Sequence, residues 1–257
     1  MIHPVCCSYI THRGYHRSEN EDSILVSRTV IAGGTMESPR QMPISTLPAL
    51  FCVADGIGGA AYGEVASRTV MEIFAGRRVP QTPEEIIRMI IDAKEVLDDM
   101  ALKDPTLTGF GTTIAGLVLF QDHALVFNCG DSRVYQIDSS RITRISHDHS
   151  YVQELCDQGI ITHDQVYYHP ERNIITSSIS GDLRPPRGIS VFRTDRTDTD
   201  RFLLCTDGVW EVVRDEELAL LCRETGTSVS IGAVLKACLE GGGPDNISGI
   251  LLGNDTG

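Results

Sequence analysis

Short runs of apolar and β-branched residues, each bounded by turn residues, recur along the whole chain. Residues 23–30, 50–54, 113–120, 124–129, 133–137, 201–205 and 247–252 read as strands on this pattern. Asp122-His123 predicts a hairpin turn between two of them, and Asp138-Ser139-Ser140-Arg141 turns the next pair. Helical spacing appears over residues 63–77, with a face of Val65, Thr69 and Ile73 and with Val70 and Phe74 beside it. A second helix opens at Thr82-Pro83-Glu84-Glu85, a capping box with proline at the first helical position. Ile86, Ile90, Ala93, Leu97 and Met100 give it one buried face. Two more helices are predicted over residues 215–223 and 229–240.

Strands that pair locally, with helices inserted in pairs, predict antiparallel sheets covered by helices rather than a βαβ repeat. The chain therefore reads as α+β. At 257 residues it can bury roughly three quarters of its unfolded surface, and one domain over residues 1–257 is expected. Residues 32–48, with Gly-Gly and three prolines, predict a surface loop. Residues 158–186 mix turn residues with few periodic positions and are long for a structureless loop. They mark a functional flap, at about 150–186.

The longest apolar stretch, residues 114–120, is far short of the ~20 residues that span a membrane, so no membrane span is expected. The first ten residues lack a basic segment and a long apolar segment, so no secretory signal is read there. The eight cysteines form no C-x-x-C pair, and Cys52, Cys129 and Cys205 sit inside strand-like runs as small hydrophobes. A cytoplasmic location is the simplest reading. The net charge of −13 argues against nucleic acid as a partner. An anionic substrate would need a cation in its site.

Four aspartates share one context: each borders an apolar run and a turn residue. They are Asp55 in LFCVADGIGG, Asp131 in LVFNCGDSR, Asp207 in FLLCTDGVW and Asp245 in GGGPDNISGILL. Any one alone reads as a turn. Four carboxylates fixed at strand tips suit a hard cation, which takes oxygen ligands and needs no imidazole or thiolate. Gathered together they repel and raise one another's pKa unless a cation compensates. The Gly-rich turn DGIGG lacks the lysine and spacing of a P-loop. Histidines 147, 149, 163 and 169 lack H-E-x-x-H spacing and read as structural.

The ordered segments ENED (19–22), ADGIGG (54–59), GFGTT (109–113), NCGDSRVY (128–135), HDHSYVQEL (147–155), HPERNIIT (169–176), LLCTDGVWEVV (203–213) and GGPDNIS (242–248) resemble the metal-dependent protein phosphatases. The likeness is to the protein phosphatase 2C family in its bacterial form and runs from about residue 13 to residue 252. It implies a central antiparallel β-sandwich flanked on both faces by paired helices, a four-layer αββα arrangement. It also implies two Mn²⁺ or Mg²⁺ ions and a third, weaker one. On this likeness Asp55 bridges both ions, the Gly56 carbonyl binds one, and Asp207 and Asp245 hold the other. Asp131 matches the third-ion position, with Asp207 shared and Asn173 as a further polar contact. Glu21 and Asp22 match the acidic pair behind the metal-bound waters, and Arg17 matches the phosphate-binding arginine, a role that suits a guanidinium fork.

The resemblance implies a serine/threonine protein phosphatase. Water activated between two ions attacks phosphorus in line, with no covalent phosphoenzyme. It implies phosphorylated proteins as partners, a serine/threonine kinase and its substrates among them, and a monomer. Ile57 departs from the family: many members carry a histidine there, proposed to protonate the leaving group. Two alternatives stand beside this reading, a silent phosphoprotein-binding regulator and another two-metal phosphoesterase.

Overall fold

Apolar segments joined by short turns pair with their neighbours, and the strands here do so. The computed structural model describes residues 5–58, 62–223 and 226–254. Its strands are β1 (Val5–His12), β2 (Ser23–Val26), β3 (Thr29–Ala32), β4 (Arg40–Ile44), β5 (Ala49–Ala54), β6 (Gly56–Ile57), β7 (Gly111–Thr112) and β8 (Ile114–Leu119). Then come β9 (His123–Cys129), β10 (Arg133–Ile137), β11 (Ile142–Arg144), β12 (Ile179–Ser180), β13 (Ser190–Asp195), β14 (Arg201–Cys205) and β15 (Ile247–Gly253). The helices are α1 (Tyr62–Gly76), α2 (Pro83–Lys103), α3 (Tyr151–Asp157), α4 (His163–Val166), α5 (Asp207–Trp210), α6 (Asp215–Leu221) and α7 (Thr227–Glu240).

One sheet runs β11-β10-β14-β15-β1-β4 and a second runs β13-β9-β8-β5-β2-β3, with the short strands β12-β7-β6 beside them. The pairings are antiparallel. The two large sheets face each other, α1 and α2 cover the second, and α6 and α7 cover the first. This is the four-layer αββα sandwich that the resemblance implies. Strand β2 shows how the layers divide. Successive side chains point to opposite faces, so Ile24 and Val26 enter the core between the sheets with Phe51, Val53 and Leu204. Leu25 turns outward to Val70, Phe74 and Ile90 under the helices. With both faces covered, the strands read as continuous apolar runs.

Several expectations need correction. Helix α1 buries Ala66, Ser67, Val70, Met71 and Phe74, with Ile73 packed partly against the same core, whereas Val65 is exposed and Thr69 is half-buried. Small residues on that face let the helix approach the sheet closely. Residues 23–30 form a hairpin rather than one strand, with Ser27 at φ 59° in the turn. The expected loop at 32–48 contains β4, an outer strand whose Pro43 withholds a donor, as prolines on sheet edges do. Strands β1 and β13 were outside the predicted set. At helix α2, Thr82 Oγ1 accepts from Glu85 N as expected, but the Glu85 carboxylate takes Gln81 N instead of closing on Thr82. The segment at about 150–186 is not structureless, since it holds α3, α4 and β12.

Candidate metal centre

Antiparallel pairing brings distant aspartates to one end of the sandwich. The ends of β5, β9 and β14 and the starts of β2, β10 and β15 all lie there. Ser23 pairs with Ala54, so Asp22 and Asp55 occupy the adjoining position. Arg133 pairs with Cys205, and Cys205 with Gly249, which carries Asp131, Asp207 and Asp245 to the same end.

The main chain around the carboxylates is tied down. Asp55 N donates to Thr113 Oγ1 at 3.2 Å, and the Asp55 carbonyl accepts from Thr113 N and Thr112 Oγ1. Thr113 Oγ1 lies 2.8 Å from Ser132 Oγ, linking the Asp55 loop to the Asp131 loop. Thr206 Oγ1 donates to Asp22 Oδ2 at 2.9 Å. Gly56 and Gly63 pass so closely that a Cβ on either would lie within 2.8 Å of the other's backbone, and a Cβ on Gly63 would also meet the Glu21 carboxyl carbon at 2.9 Å. The close approach holds Glu21 against the start of α1, where Ser67 Oγ donates to the Glu21 carbonyl at 2.6 Å. Gly59, the last residue of the first glycine motif, lies outside the described residues.

Asp22 and Asp131 are buried, and Oδ1 of each has no hydrogen-bond partner. Desolvation, only partly offset by hydrogen bonds from Ser248 and Thr206, pushes the Asp22 carboxyl up to about 7. Desolvation and then the charge of Asp148 push Asp131 up to about 7. Asp55 is driven well above the usual carboxylate range by desolvation and then by Asp207, Asp22, Asp131 and Asp245. Asp207 is driven the same way by desolvation, Asp131, Asp245 and Glu211. Among the described residues no three His, Cys, Asp or Glu side chains close into a ready cage. They form a basin of mutually repelling oxygens, a donor set that fits a hard divalent cation.

Arg17 and Asn173 are placed less simply. The Arg17 guanidinium lies on Asp245 Oδ2 at 2.6 Å, with its side chain 53% exposed at the rim. Asn173 is exposed in the flap, and among the described residues it makes no hydrogen bond to the basin. Its neighbour Arg172 reaches Glu211 Oε1 at 3.5 Å. Glu211 stands four residues after Asp207 and adds to its field; sequence reading missed it, although that spacing puts both on one helix face. Asn246 was also missed. Its side chain accepts from Glu21 N at 2.8 Å and donates to the carbonyls of Arg13 and Glu19 at 2.9 Å, pinning the Arg17 loop beside Asp245.

Histidines 147, 149, 163 and 169 are otherwise engaged. His147 Nε2 bonds Asp157, His149 Nε2 bonds Ser190, His169 Nδ1 accepts from Glu171 N, and His163 stands edge-on to Tyr167. His12 Nδ1 accepts from Gly14 N at 2.9 Å. Cys7 and Arg13 have the C-x5-R spacing of thiol phosphatases, which bears on the expectation of no covalent phosphoenzyme. Cys7 lies within β1, fully buried and flanked by paired strands, and desolvation holds its thiol protonated, so it is not a nucleophile.

The protein phosphatase 2C family model matches residues 45–229. The chain is 30% identical over 258 residues to the serine/threonine phosphatase stp of Listeria monocytogenes, covering 95% of this chain and 94% of that protein. It is 29% identical over 241 residues to the serine/threonine protein phosphatase PstP of Mycobacterium tuberculosis, covering 92% of this chain but 42% of that longer protein. The crystal structure of the M. tuberculosis phosphatase PstP/Ppp superposes with a TM-score of 0.82 at 26% identity, covering 98% of this chain and 99% of that one. A structure of the PstP catalytic domain in complex with two manganese ions gives 0.80 at 25% identity, covering 97% and 98%.

Proposed function

The chain belongs to the protein phosphatase 2C family, and on that footing we propose that it is a serine/threonine protein phosphatase that hydrolyses phosphoserine and phosphothreonine in proteins. The observation that carries this reading is the basin at the sheet ends. Asp22, Asp55, Asp131, Asp207 and Asp245 share one field there, and an oxygen each of Asp22 and Asp131 is buried without a partner. Carboxylates held this way are stabilised by divalent cations. Asp55 and the Gly56 carbonyl would hold one Mn²⁺ or Mg²⁺, Asp207 and Asp245 a second, and Asp131 with Asp207 a weaker third, near Asn173. When bound, such ions supply positive charge for phosphoryl oxygens and make water in the site more acidic.

The chain's own groups do the rest. Arg17, exposed at the rim, can turn its guanidinium fork from Asp245 to two phosphate oxygens. Glu21 and Asp22 accept hydrogen bonds from water at the basin floor, with Thr206 orienting Asp22. Ile57 offers no proton to the leaving oxygen, and His12 is engaged with the main chain of Gly14, so that proton comes from water.

The reading extends to phosphorylated proteins as substrates, a serine/threonine kinase and its targets among them, and to a monomer of one domain acting in the cytoplasm. It is supported by two relatives that bear the name serine/threonine phosphatase. Among the described residues no helix is long and apolar enough to cross a membrane. The test is turnover of p-nitrophenyl phosphate and of a phosphothreonine peptide by metal-stripped protein, with and without added Mn²⁺ or Mg²⁺. Activity only with added cation is expected; full activity in chelator would overturn the reading.

A further inference from the structure

Arg133 is fully buried, two residues beyond Asp131. A guanidinium inside a protein is costly unless its charge and its N–H groups are matched. Here they are. Arg133 Nε and Nη2 reach both oxygens of Asp148 at 2.7 to 3.2 Å, and Nη1 donates to Tyr135 Oη at 3.1 Å. Arg144 adds a second cation on Asp148 at 3.0 Å. The Arg133 guanidinium carbon lies over the Trp210 ring, 3.6 Å from its centroid. Trp210 Nε1 then donates to the main-chain oxygen of Asp131 at 3.0 Å.

The residues on either side of Asp131 are also held. The Gly130 carbonyl accepts from Asn128 Nδ2 and His149 N, Gly130 N donates to His149 Nδ1, and Ser132 Oγ meets Thr113 Oγ1. The Asp131 carboxylate oxygen Oδ1, by contrast, is buried and unpartnered. Buried ion pairs contribute little net stability, so a structural role alone does not account for this arrangement.

We propose that Trp210, clamped by the Arg133–Asp148 pair, is a positioning residue for Asp131. It fixes the Asp131–Ser132 peptide so that Oδ1 meets a divalent cation without reorganising. The proposal rests on reading the basin as a cation site, and it concerns the weaker ion at Asp131 rather than the pair at Asp55 and Asp207.

Its test measures cation binding apart from turnover. The full chain, stripped with chelator, is titrated with Mg²⁺ by calorimetry. Trp210→Phe keeps a ring against Arg133 but loses the indole N–H. It is expected to weaken the lower-affinity Mg²⁺ phase about tenfold, as loss of groups that orient metal ligands does, and to leave the tighter phase within about twofold. The chain has one tryptophan, so its emission reports this contact directly. In the unaltered protein that emission should follow the lower-affinity phase, and in Asp131→Ala it should not. Unchanged Mg²⁺ affinity in Trp210→Phe, equal weakening of both phases, or emission blind to Mg²⁺ would overturn the proposal. The emission measurement needs no variant and decides the matter even if Trp210→Phe does not fold. If the protein binds Mg²⁺ in this way but hydrolyses no phosphate ester, the functional reading fails and the positioning role stands.

Discussion

Thr206 donates its hydroxyl hydrogen to Asp22 Oδ2 across 2.9 Å, joining residues 184 positions apart, while Oδ1 of the same carboxylate has no partner. The same hydroxyl accepts from Ser248 N at 3.2 Å. Thr206→Val removes both links and takes one donor from a buried carboxylate. It should destabilise the chelated protein by about 1–3 kcal/mol, while Thr206→Ser, which keeps the hydroxyl, should lose little. Urea denaturation of the two variants in chelator tests this, and equal stability would show the contact to be idle.

Stability without metal should fall as pH rises. Asp22 and Asp131 sit at about 7 in the fold, and Asp55 and Asp207 stand well above the carboxylate range. A group whose folded pKa is raised stabilises the fold below its unfolded value and loses that contribution as pH passes the folded value. The chelated protein should therefore melt at progressively lower temperature from about pH 5 to about pH 8. Saturating Mg²⁺ should flatten or reverse the trend, because the cation binds the ionised form and displaces protons. A melting temperature that rises with pH in chelator would contradict the charge assignment.

Asp55→Asn and Asp207→Asn should each lower kcat by several orders of magnitude. Both residues sit in the field of like charges, so neutralising either should also raise the melting temperature in chelator. A loss of activity with a gain of metal-free stability separates a functional carboxylate from a structural one. Asp131→Ala should be milder on small aryl phosphates. If it matched Asp207→Asn on every substrate, the ranking of ion sites would be wrong.

Arg17→Ala should chiefly raise KM, with a smaller loss in kcat, if the guanidinium grips ground-state phosphate as firmly as the transition state. The same change frees Asp245 Oδ2, so cation affinity should rise slightly. Unchanged KM would return Arg17 to the surface.

The strand-end aspartates were legible because carboxylate, glycine and apolar run are contiguous in sequence. Their convergence follows from antiparallel pairing. Other features leave no such trace. Asn246 acts through the backbone groups it meets, and those belong to residues more than 220 positions away. On helix α1, hydrophobicity favours Val65 over Ala66 and Ser67, yet close approach to the sheet selects the small residues. Strand β4 was hidden because two of its five residues are polar and one is proline. Arg133 opens a predicted strand with nothing in sequence to name its partners; only the fold shows Asp148 and Trp210 enclosing it.

Strand β15 lies between β1 and β14 in the first sheet, although β1 is the first and β15 the last of the described strands in sequence. During synthesis, β1 emerges from the ribosome before either of its partners, and β15 follows long after β4. Until residues 245–253 have followed, Asp245 and Asn246 are absent, the Arg17 loop has no anchor, and β14 has one free flank. A chain that lacks β15 therefore exposes an apolar sheet edge to chaperones, and the acidic basin takes its full form only once residues 245–253 have emerged.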